Sequence, residues 1–287
     1  MITIFTPTYN RAHLLDKLYD SLCSQTQKDF EWLIVDDGST DGTEPLVAQF
    51  IKEGKISIRY LKQENGGKHR AINRGVKVAR GELFFIVDSD DVLTPDAVET
   101  VNHYYDQVRG DGRFAGVCGL KAYFTGEKVG GEKNYDVIDC NNFDFRFKHH
   151  VKGDMAEVFR TDILKEFPFP EIEGEKYCAE GVVWNNIANK YILRYFYKKI
   201  YLCDYLPDGL SLNSIRMRMK SPVSACICYS NMIKYPIPFM QKVKAAVNYW
   251  RFWFCESQHK KPSLPCNWWW CLPMGMAFHF LDIQKAN

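Results

Sequence analysis

The sequence lacks the cysteine spacing of a zinc or redox protein. It contains ten cysteines in 287 residues, but only Cys226 and Cys228 lie within three residues of each other, and no Cys-x-x-Cys pair occurs. Structural zinc sites and thioredoxin-like centres depend on such closely spaced pairs. We therefore expect free thiols and a reducing compartment.

Long apolar runs are also missing. The first residues, 1–5, already have the pattern of a strand, with no charged leader and no apolar segment of the kind that directs secretion. The aromatic segment 268–281 is too short, and too interrupted by Pro273, to span a bilayer. We expect a cytoplasmic protein, which could work at the inner face of the plasma membrane.

Neither sign of charge is in large excess overall. The formal net charge is +2, which argues against a protein that neutralises a nucleic-acid backbone. The charge is uneven, however, because residues 212–261 hold nine Lys and Arg against one acid, Glu256, so that the rest of the chain carries +2 − 8 = −6. With 46% hydrophobic residues, the chain can form one main domain followed by a basic, aromatic extension.

The first 110 residues alternate between strand-like and helix-like patterns. Strands are predicted at 2–6, 31–35, 56–61 and 83–87, with helices between them. This alternation indicates parallel strands joined by right-handed crossovers. Beyond it the sequence predicts a strand at 115–124, a loop or lid at 126–142, a helix at 181–191, a strand at 195–205 and then helices.

Acidic side chains follow two of the predicted strands. Asp88, Asp90 and Asp91 come directly after an apolar run, and Asp36 and Asp37 follow another. The carboxyl ends of parallel strands form the usual ligand crevice of an open α/β sheet, and carboxylates there can hold a hard divalent cation that grips a diphosphate. The pattern predicts a nucleotide site. Either cluster alone could instead supply helix caps and Asx-turns.

Several short motifs occur in a fixed order along this half of the chain. They lie at residues 7–11 (Pro-Thr-Tyr-Asn-Arg), 35–41 (Val-Asp-Asp-Gly-Ser-Thr-Asp), 65–68 (Asn-Gly-Gly-Lys), 71–75 (Ala-Ile-Asn-Arg-Gly) and 88–91 (Asp-Ser-Asp-Asp). Together they resemble glycosyltransferase family 2, the inverting, metal-dependent sugar transferases of the GT-A fold. The resemblance covers residues 1–100 strongly and 101–211 weakly.

The resemblance implies a domain organisation and a fold. The fold would be α/β, with a mostly parallel central sheet flanked by helices and a Rossmann-like half that binds the nucleotide. Residues 1–211 would form the catalytic domain, with the nucleotide-sugar half at 1–110 and the acceptor half at 111–211. Residues 212–287 would form a helical C-terminal extension.

The family also implies roles for individual side chains. Nucleotide-sugar binding falls to Pro7, Thr8, Tyr9, Arg11, Asp37, Lys68, Asp88 and Ser89. Asp37 would accept a hydrogen bond from the pyrimidine ring, and Lys68 could reach the base or a phosphate. Tyr9 could instead only pack over its loop, and Lys68 could be an ordinary solvated lysine.

The same resemblance implies a cation, Mn²⁺ or Mg²⁺. Asp90 would bind it, and Asp88 would bind the ribose or the outer shell of the metal. The metal would stabilise the charge that grows on the departing nucleoside diphosphate. Asp91 is expected to have a structural role, such as capping the helix that begins near Pro95.

Inversion in a single displacement needs a base for the acceptor hydroxyl. Many family members carry a Glu-Asp pair at the start of a helix, but here Glu180 is followed by Gly181. Glu180 is the predicted base, with Asp154 in reserve. Glu180 could also merely favour the positive end of its helix.

The implied activity is hexosyl transfer from a nucleotide sugar, expected to be a UDP-sugar, to a glycan or lipid-linked glycan in cell-surface polysaccharide synthesis. One alternative is a sugar nucleotidyltransferase, although residues 7–11 lack its Gly-rich phosphate loop. Another is a catalytically weak nucleotide-sugar-binding protein.

The C-terminal extension leaves two interpretations open. Val243, Val247, Trp250 and Phe254 form an apolar stripe beside several cations. Such a stripe is expected of a helix that lies on an anionic membrane surface, and equally of a helix that packs against the rest of the protein.

Overall fold

The computed structural model describes residues 1–204, 213–264 and 267–286. It divides into two compact units: Met1–Pro168 with Lys190–Asp204 form unit 1, and Phe169–Asn189 with the described residues after 204 form unit 2. The sequence assigns 169–189 to the acceptor half, and by its contacts this segment groups with the C-terminal helices. The predicted boundary at 211 and 212 lies outside the described residues.

The N-terminal half of unit 1 is the predicted parallel α/β layer. Its strands are β1 (Ile2–Thr8), β2 (Phe30–Asp36), β3 (Ile58–Lys62) and β4 (Leu83–Ile86), and its helices are α1 (Ala12–Cys23), α2 (Thr43–Glu53) and α3 (Lys68–Val78). The strands are parallel in the order β3-β2-β1-β4. Every residue of β1 and β2 is buried, as expected for central strands covered on both faces.

The second half of unit 1 extends this sheet with mixed strand directions. It contains β5 (Val92–Leu93), α4 (Ala97–Asp106), β6 (Phe114–Ala122), β7 (Val137–Cys140), α5 (Asn142–Phe147), β8 (Met155–Arg160), α6 (Thr161–Glu166) and β9 (Ile192–Leu202). β8 runs antiparallel to β4 and β6, β9 is parallel to β6, and β5 and β7 are antiparallel to β9. The α/β class is confirmed, with the parallel arrangement concentrated in β1–β4.

One prediction in this half holds only in part. Residues 126–142 are predicted to be a loop or lid, and 126–136 contain none of the helices or strands named above, but 137–140 form β7, which pairs with β9. Two of its four residues are exposed, and it extends the sheet sideways from β9 alone. A strand of this kind needs no apolar alternation, which is why the sequence pattern does not reveal it.

Close packing fixes α3 against the sheet. A Cβ added at Gly75 would lie 2.2 Å from the ring of Phe5 in β1, so only glycine allows this approach. The helix therefore lies low over β1, with Lys68 at its N-terminal end beside the carboxyl edge of the sheet.

The secondary-structure elements described in unit 2 are helices. They are α7 (Gly181–Ala188), α8 (Ser214–Lys220), α9 (Pro222–Lys234), α10 (Phe239–Trp253), a 3-10 turn at Trp269–Cys271 and α11 (Leu272–Ala286). α10 packs against both α9 and α11. None of the helices in the described ranges is both long and apolar enough to cross a membrane.

The apolar stripe predicted on α10 is mostly internal. Val247 and Trp250 are each 6% exposed within the core of unit 2, and Val243 packs against that core. Of the two interpretations of the stripe, packing against the rest of the protein therefore describes these three residues. Phe254, just after α10, is 39% exposed.

Candidate functional site

The carboxyl edge of the sheet collects the residues predicted to bind a ligand. β1, β2 and β4 end there, with Thr8, Asp37 and Asp88 at or just beyond their last residues. From β1 the chain moves to β2 and β3 on one side, while β4 lies on the other. This reversal between β1 and β4 is the topological switch point at which open α/β sheets bind ligands.

Asp37 organises the loop that follows β3. It is 4% exposed, and its carboxylate accepts four hydrogen bonds. The donors are Gln63 Nε2 at 2.7 Å, Gly66 N at 3.0 Å, Gly67 N at 2.7 Å and Asn65 Nδ2 at 3.1 Å. A carboxylate offers about four acceptor positions, so a pyrimidine N–H would have to replace one of these donors.

The other two acids of this cluster have structural roles. Asp36 accepts hydrogen bonds from Ser39 N and from the Tyr60 hydroxyl. Asp41 accepts from Ala12 N at 3.0 Å and from Thr43 N at 3.0 Å, and so pairs N–H groups in the first turns of α1 and α2. For Asp36 and Asp41, the alternative interpretation as turn and cap residues describes the structure.

The end of β1 presents an unpaired hydroxyl. Thr8 is 3% exposed, and within the described residues its Oγ1 has no hydrogen-bond partner. A buried polar group left unpaired costs about 1–3 kcal/mol, so a ligand that bonds to it would recover that cost. Next to it, Tyr9 is 48% exposed, which leaves its ring accessible for stacking. Pro7 is buried within β1, opposite Val35.

The second acidic cluster is held by an ion pair and a tyrosine. Lys68 Nζ lies 2.7 Å from Asp88 Oδ1 and 3.0 Å from Oδ2. The Asp88 N–H donates to the Tyr201 hydroxyl at 3.0 Å, and that hydroxyl donates to Asp91 Oδ2 at 2.6 Å. Asp91 therefore has a structural contact with Tyr201 of β9, and it does not cap the next helix, whose N-cap is Asp96. Ser89 lies buried within this turn.

Crowding of negative charge perturbs these carboxyl groups. Burial acts to raise the pKa of Asp88, but the positive charges of Lys68, Lys121 and Arg11 outweigh it and lower the pKa. Burial and the charge on Asp88 raise the pKa of Asp90. The same two causes raise the pKa of Asp91 to about 7.

The carboxylates after β4 fit a divalent cation whose remaining ligands are supplied by water or phosphate. Within the described ranges, no three His, Cys, Asp or Glu side chains are placed to hold a metal ion by themselves. Burial, together with the nearby charge of Asp88, nevertheless raises the pKa of Asp90, and a hard cation would relieve the repulsion between the two carboxylates. Phosphate oxygens and water are ligands that Mg²⁺ normally keeps.

The two candidate bases lie in different units. Glu180 belongs to unit 2 and directly precedes α7, where its backbone oxygen accepts from Val183 N at 2.9 Å and Trp184 N at 3.0 Å. A Cβ added at Gly181 would meet only the Asn185 side chain, at 3.5 Å, so the position has room.

Asp154 belongs to unit 1 and directly precedes β8. Because β8 runs antiparallel to β4, it begins at the edge where β4 ends, and Asp154 is therefore on the same edge of the sheet as Asp88. Burial raises the pKa of Cys203, which follows β9, and the negative charge of Asp154 adds to that rise.

Sequence reasoning missed two residues of the site, Lys121 and Tyr201. The Lys121 ammonium lies 4.1 Å from the centre of the Tyr201 ring, and the two residues are paired in the register of β6 and β9. Both belong to strands that the sequence predicts. Correct alignment of those strands would have brought the two residues to the carboxyl edge.

Comparison with known proteins agrees with this geometry. The family model described as Glycosyl transferase family 2 matches residues 3–155. A GalNAc(5)-diNAcBac-PP-undecaprenol beta-1,3-glucosyltransferase of Campylobacter jejuni is 29% identical over 226 residues, which cover 75% of this chain and 70% of the relative. Two other curated glycosyltransferases are matched over only 42% and 38% of their own lengths, so the chain spans less than half of either.

Two solved structures share the fold. Staphylococcus aureus TarS in complex with UDP matches with a TM-score of 0.62 and 20% identity, over 90% of this chain and 72% of that one. A mannosyltransferase from Pyrobaculum calidifontis in complex with GDP-Man and Mn²⁺ matches with a TM-score of 0.58 and 18% identity, over 100% of this chain and 75% of that one. Likeness at these identities establishes the fold alone, and it confirms the predicted GT-A architecture.

Proposed function

Because the chain belongs to glycosyltransferase family 2, we propose that it transfers a hexose from a nucleotide sugar to a hydroxyl group of a glycan or lipid-linked glycan, with inversion. The donor we propose is a UDP-sugar, and the process is cell-surface polysaccharide synthesis. The observation that supports this most strongly is the site at the switch point, where Arg11, Lys68 and Lys121 act electrostatically on Asp88. Cations and carboxylates together suit a diphosphate and its metal.

The donor would bind across the ends of β1 and β4. The nucleotide base would stack on Tyr9 and form a hydrogen bond with the unpaired hydroxyl of Thr8. The loop held by Asp37 would form the wall of the pocket. Arg11 and Lys68 would neutralise the diphosphate, with Lys68 exchanging part of its contact with Asp88 for a phosphate oxygen.

Asp90 and Asp88 would hold Mn²⁺ or Mg²⁺, and that ion, when bound, would offset the charge on the leaving diphosphate. Tyr201 keeps the Asp88 turn in place, because it contacts both the backbone N–H of Asp88 and the carboxyl group of Asp91. Burial and the nearby carboxylates hold the pKa of Tyr201 well above its usual value, so its hydroxyl remains a donor.

Inversion requires one carboxylate to take the proton of the acceptor hydroxyl as that oxygen attacks the sugar. We propose Glu180 for this step, with Asp154 as the alternative. The Campylobacter relative is named for a lipid-linked glycan acceptor, which supports a lipid-linked acceptor for this chain as well. An acceptor of that kind would bring the enzyme to a membrane surface.

A thermal-shift screen tests the donor. Ligands that bind only the folded state raise the unfolding temperature, so UDP and UDP-sugars with Mn²⁺ should do so, and GDP-sugars should do so less. A larger shift with GDP-mannose would change the proposed donor class, and no shift with any nucleotide would contradict the proposal.

Release of UDP tests the reaction. A slow, Mn²⁺-dependent release without acceptor is expected of a transferase and not of a binding protein. Comparison of Glu180→Gln with Asp154→Asn would identify the base, since only loss of the true base should abolish transfer while donor binding is kept.

A further inference from the structure

Helix α11 buries two polar side chains, His279 and Asp282, and exposes most of its large apolar ones. The buried residues on the side of α10 are Cys271, which directly precedes α11, and Gly275, His279 and Asp282 within it, at the i, i+4, i+8, i+11 spacing of one helix face. Two of these four, His279 and Asp282, are strongly polar side chains, and one is glycine. This is the reverse of the arrangement normal for a helix on the surface of a soluble protein.

Specific contacts fix this orientation. Asp282 is 7% exposed, and its two carboxylate oxygens accept from Arg251 of α10 at 2.5 and 2.6 Å. A Cβ at Gly275 would lie 2.4 Å from the Cβ of Trp250, so the two helices touch closely at this point. Rotating α11 to hide its apolar face would break the ion pair and lose this contact.

The outward face of α11 is apolar along most of its length. Its exposed large side chains, with their exposed fractions, are Met274 58%, Met276 38%, Phe278 41%, Phe280 56%, Leu281 49% and Ile283 37%. Between residues 272 and 284 the only Asp, Glu, Lys or Arg is the buried Asp282. Contiguous apolar surface of this kind marks an interaction site.

An aromatic corner continues this surface at the start of α11. Trp269 is 70% exposed and Trp270 is 58% exposed. The ring of Trp268 lies 5.9 Å from that of Trp270 and 5.8 Å from that of Phe239, which is 65% exposed at the start of α10. Lys242 and Lys244 follow within the first two turns of α10.

We propose that the outward face of α11 and this aromatic corner bind the surface of an anionic lipid bilayer. Tryptophan favours the boundary between lipid and water, and lysines beside it attract anionic headgroups. With 15 residues α11 is about 22 Å long, so it would lie along the bilayer surface instead of crossing it.

The basic excess of residues 212–261 favours such a surface over a second copy of this chain, which would carry the same charge. A lipid-linked acceptor would also require contact with a membrane. The proposed surface, however, is inferred from the composition of α11 and not from the transfer reaction.

Vesicle co-sedimentation of the full chain tests the proposal. Vesicles of phosphatidylcholine alone would be compared with vesicles containing phosphatidylglycerol, at low and high salt. The double variant Phe278→Ser, Phe280→Ser should weaken binding to the anionic vesicles at least tenfold. Phe124→Ser, which changes an exposed phenylalanine of unit 1, is the matched control and should bind as the native chain does.

Two further measurements distinguish the outcomes. UDP binding on the same samples should be equal in all variants, so that loss of vesicle binding and loss of donor binding are scored separately. Tryptophan emission of the native chain should be quenched by lipids brominated near the headgroup. The proposal is overturned if the native chain ignores anionic vesicles, if Phe124→Ser weakens binding as much as the double variant, or if the double variant only dissociates a dimer.

Discussion

Replacing Asp37 by asparagine separates a structural role for this residue from a role in base recognition alone. The asparagine side chain has nearly the same shape but only one acceptor oxygen, and its amide nitrogen would face two of the four donors that now point at the carboxylate. Hydrogen bonds to a charged acceptor contribute about 1.5–3 kcal/mol each. Because the loop at 63–67 is partly exposed, we expect a loss of about 3 kcal/mol for the two.

Amide hydrogen exchange measures this loss locally. Gly66 and Gly67 donate directly to Asp37, so their N–H groups report on opening of the loop. A loss of about 3 kcal/mol corresponds to exchange faster by about 100-fold. Asp16→Asn, which neutralises an exposed acid on α1, is the control for the change in charge.

The same variant should lose UDP affinity, because the disordered loop no longer shapes the pocket. Unchanged exchange at Gly66 and Gly67 together with lost UDP affinity would refute this reasoning. Asp37 would then act on the base alone, as the family resemblance implies.

Three further predictions test other parts of the structure. Glu180→Gln should leave UDP affinity unchanged and slow transfer by ~10²-fold or more, the loss expected for a general base; transfer near the native rate at saturating acceptor would exclude Glu180. The pKa of Glu31 is lowered, since hydrogen bonds from its neighbours and the Arg59 charge outweigh burial. The stabilisation of the fold by ionised Glu31 is therefore fully present above the unfolded-state pKa of about 4.3, and it is lost as the pH falls through the lower folded-state pKa. The urea midpoints of the native chain and of Glu31→Gln should therefore converge in acid. Gly275→Leu should separate α10 from α11 at Trp250 and cost about 2 kcal/mol or more, measured by thermal unfolding, and an unchanged midpoint would contradict the close contact.

The half of the fold that the sequence predicts well is the half with buried parallel strands. β1 and β2 are buried along their whole length, so their apolar runs stand out from the polar loops around them. Once the strands are identified, the carboxylates that follow them can be assigned to the carboxyl edge of the sheet from the sequence alone. The β7 strand cannot be predicted in this way. It is half exposed and pairs with β9 alone, so it needs no apolar pattern.

Within the site, the sequence identifies which residues matter better than what they contact. Asp91 binds Tyr201, which is 110 positions away, and no local pattern encodes that pairing. Asp37 accepts hydrogen bonds from the loop that follows β3, and Lys68 forms an ion pair with Asp88, which follows β4. The sequence does not predict the exposed face of α11 either. Its apolar residues have the pattern of core residues, and only the ion pair of Asp282 shows that they face outward.

Calorimetry of UDP binding to the native chain and to Asp90→Ala, with and without Mn²⁺, tests the central claim most directly. If the edge between β1 and β4 is a metal-dependent donor site, the native chain should bind UDP more tightly with Mn²⁺. Asp90→Ala should lose that gain while keeping its fold, because the side chain lies in a turn after a strand and not in the core. Asp16→Ala should behave as the native chain does. Equal UDP affinity of the native chain and Asp90→Ala in Mn²⁺ would contradict the assignment of this edge as the metal and donor site.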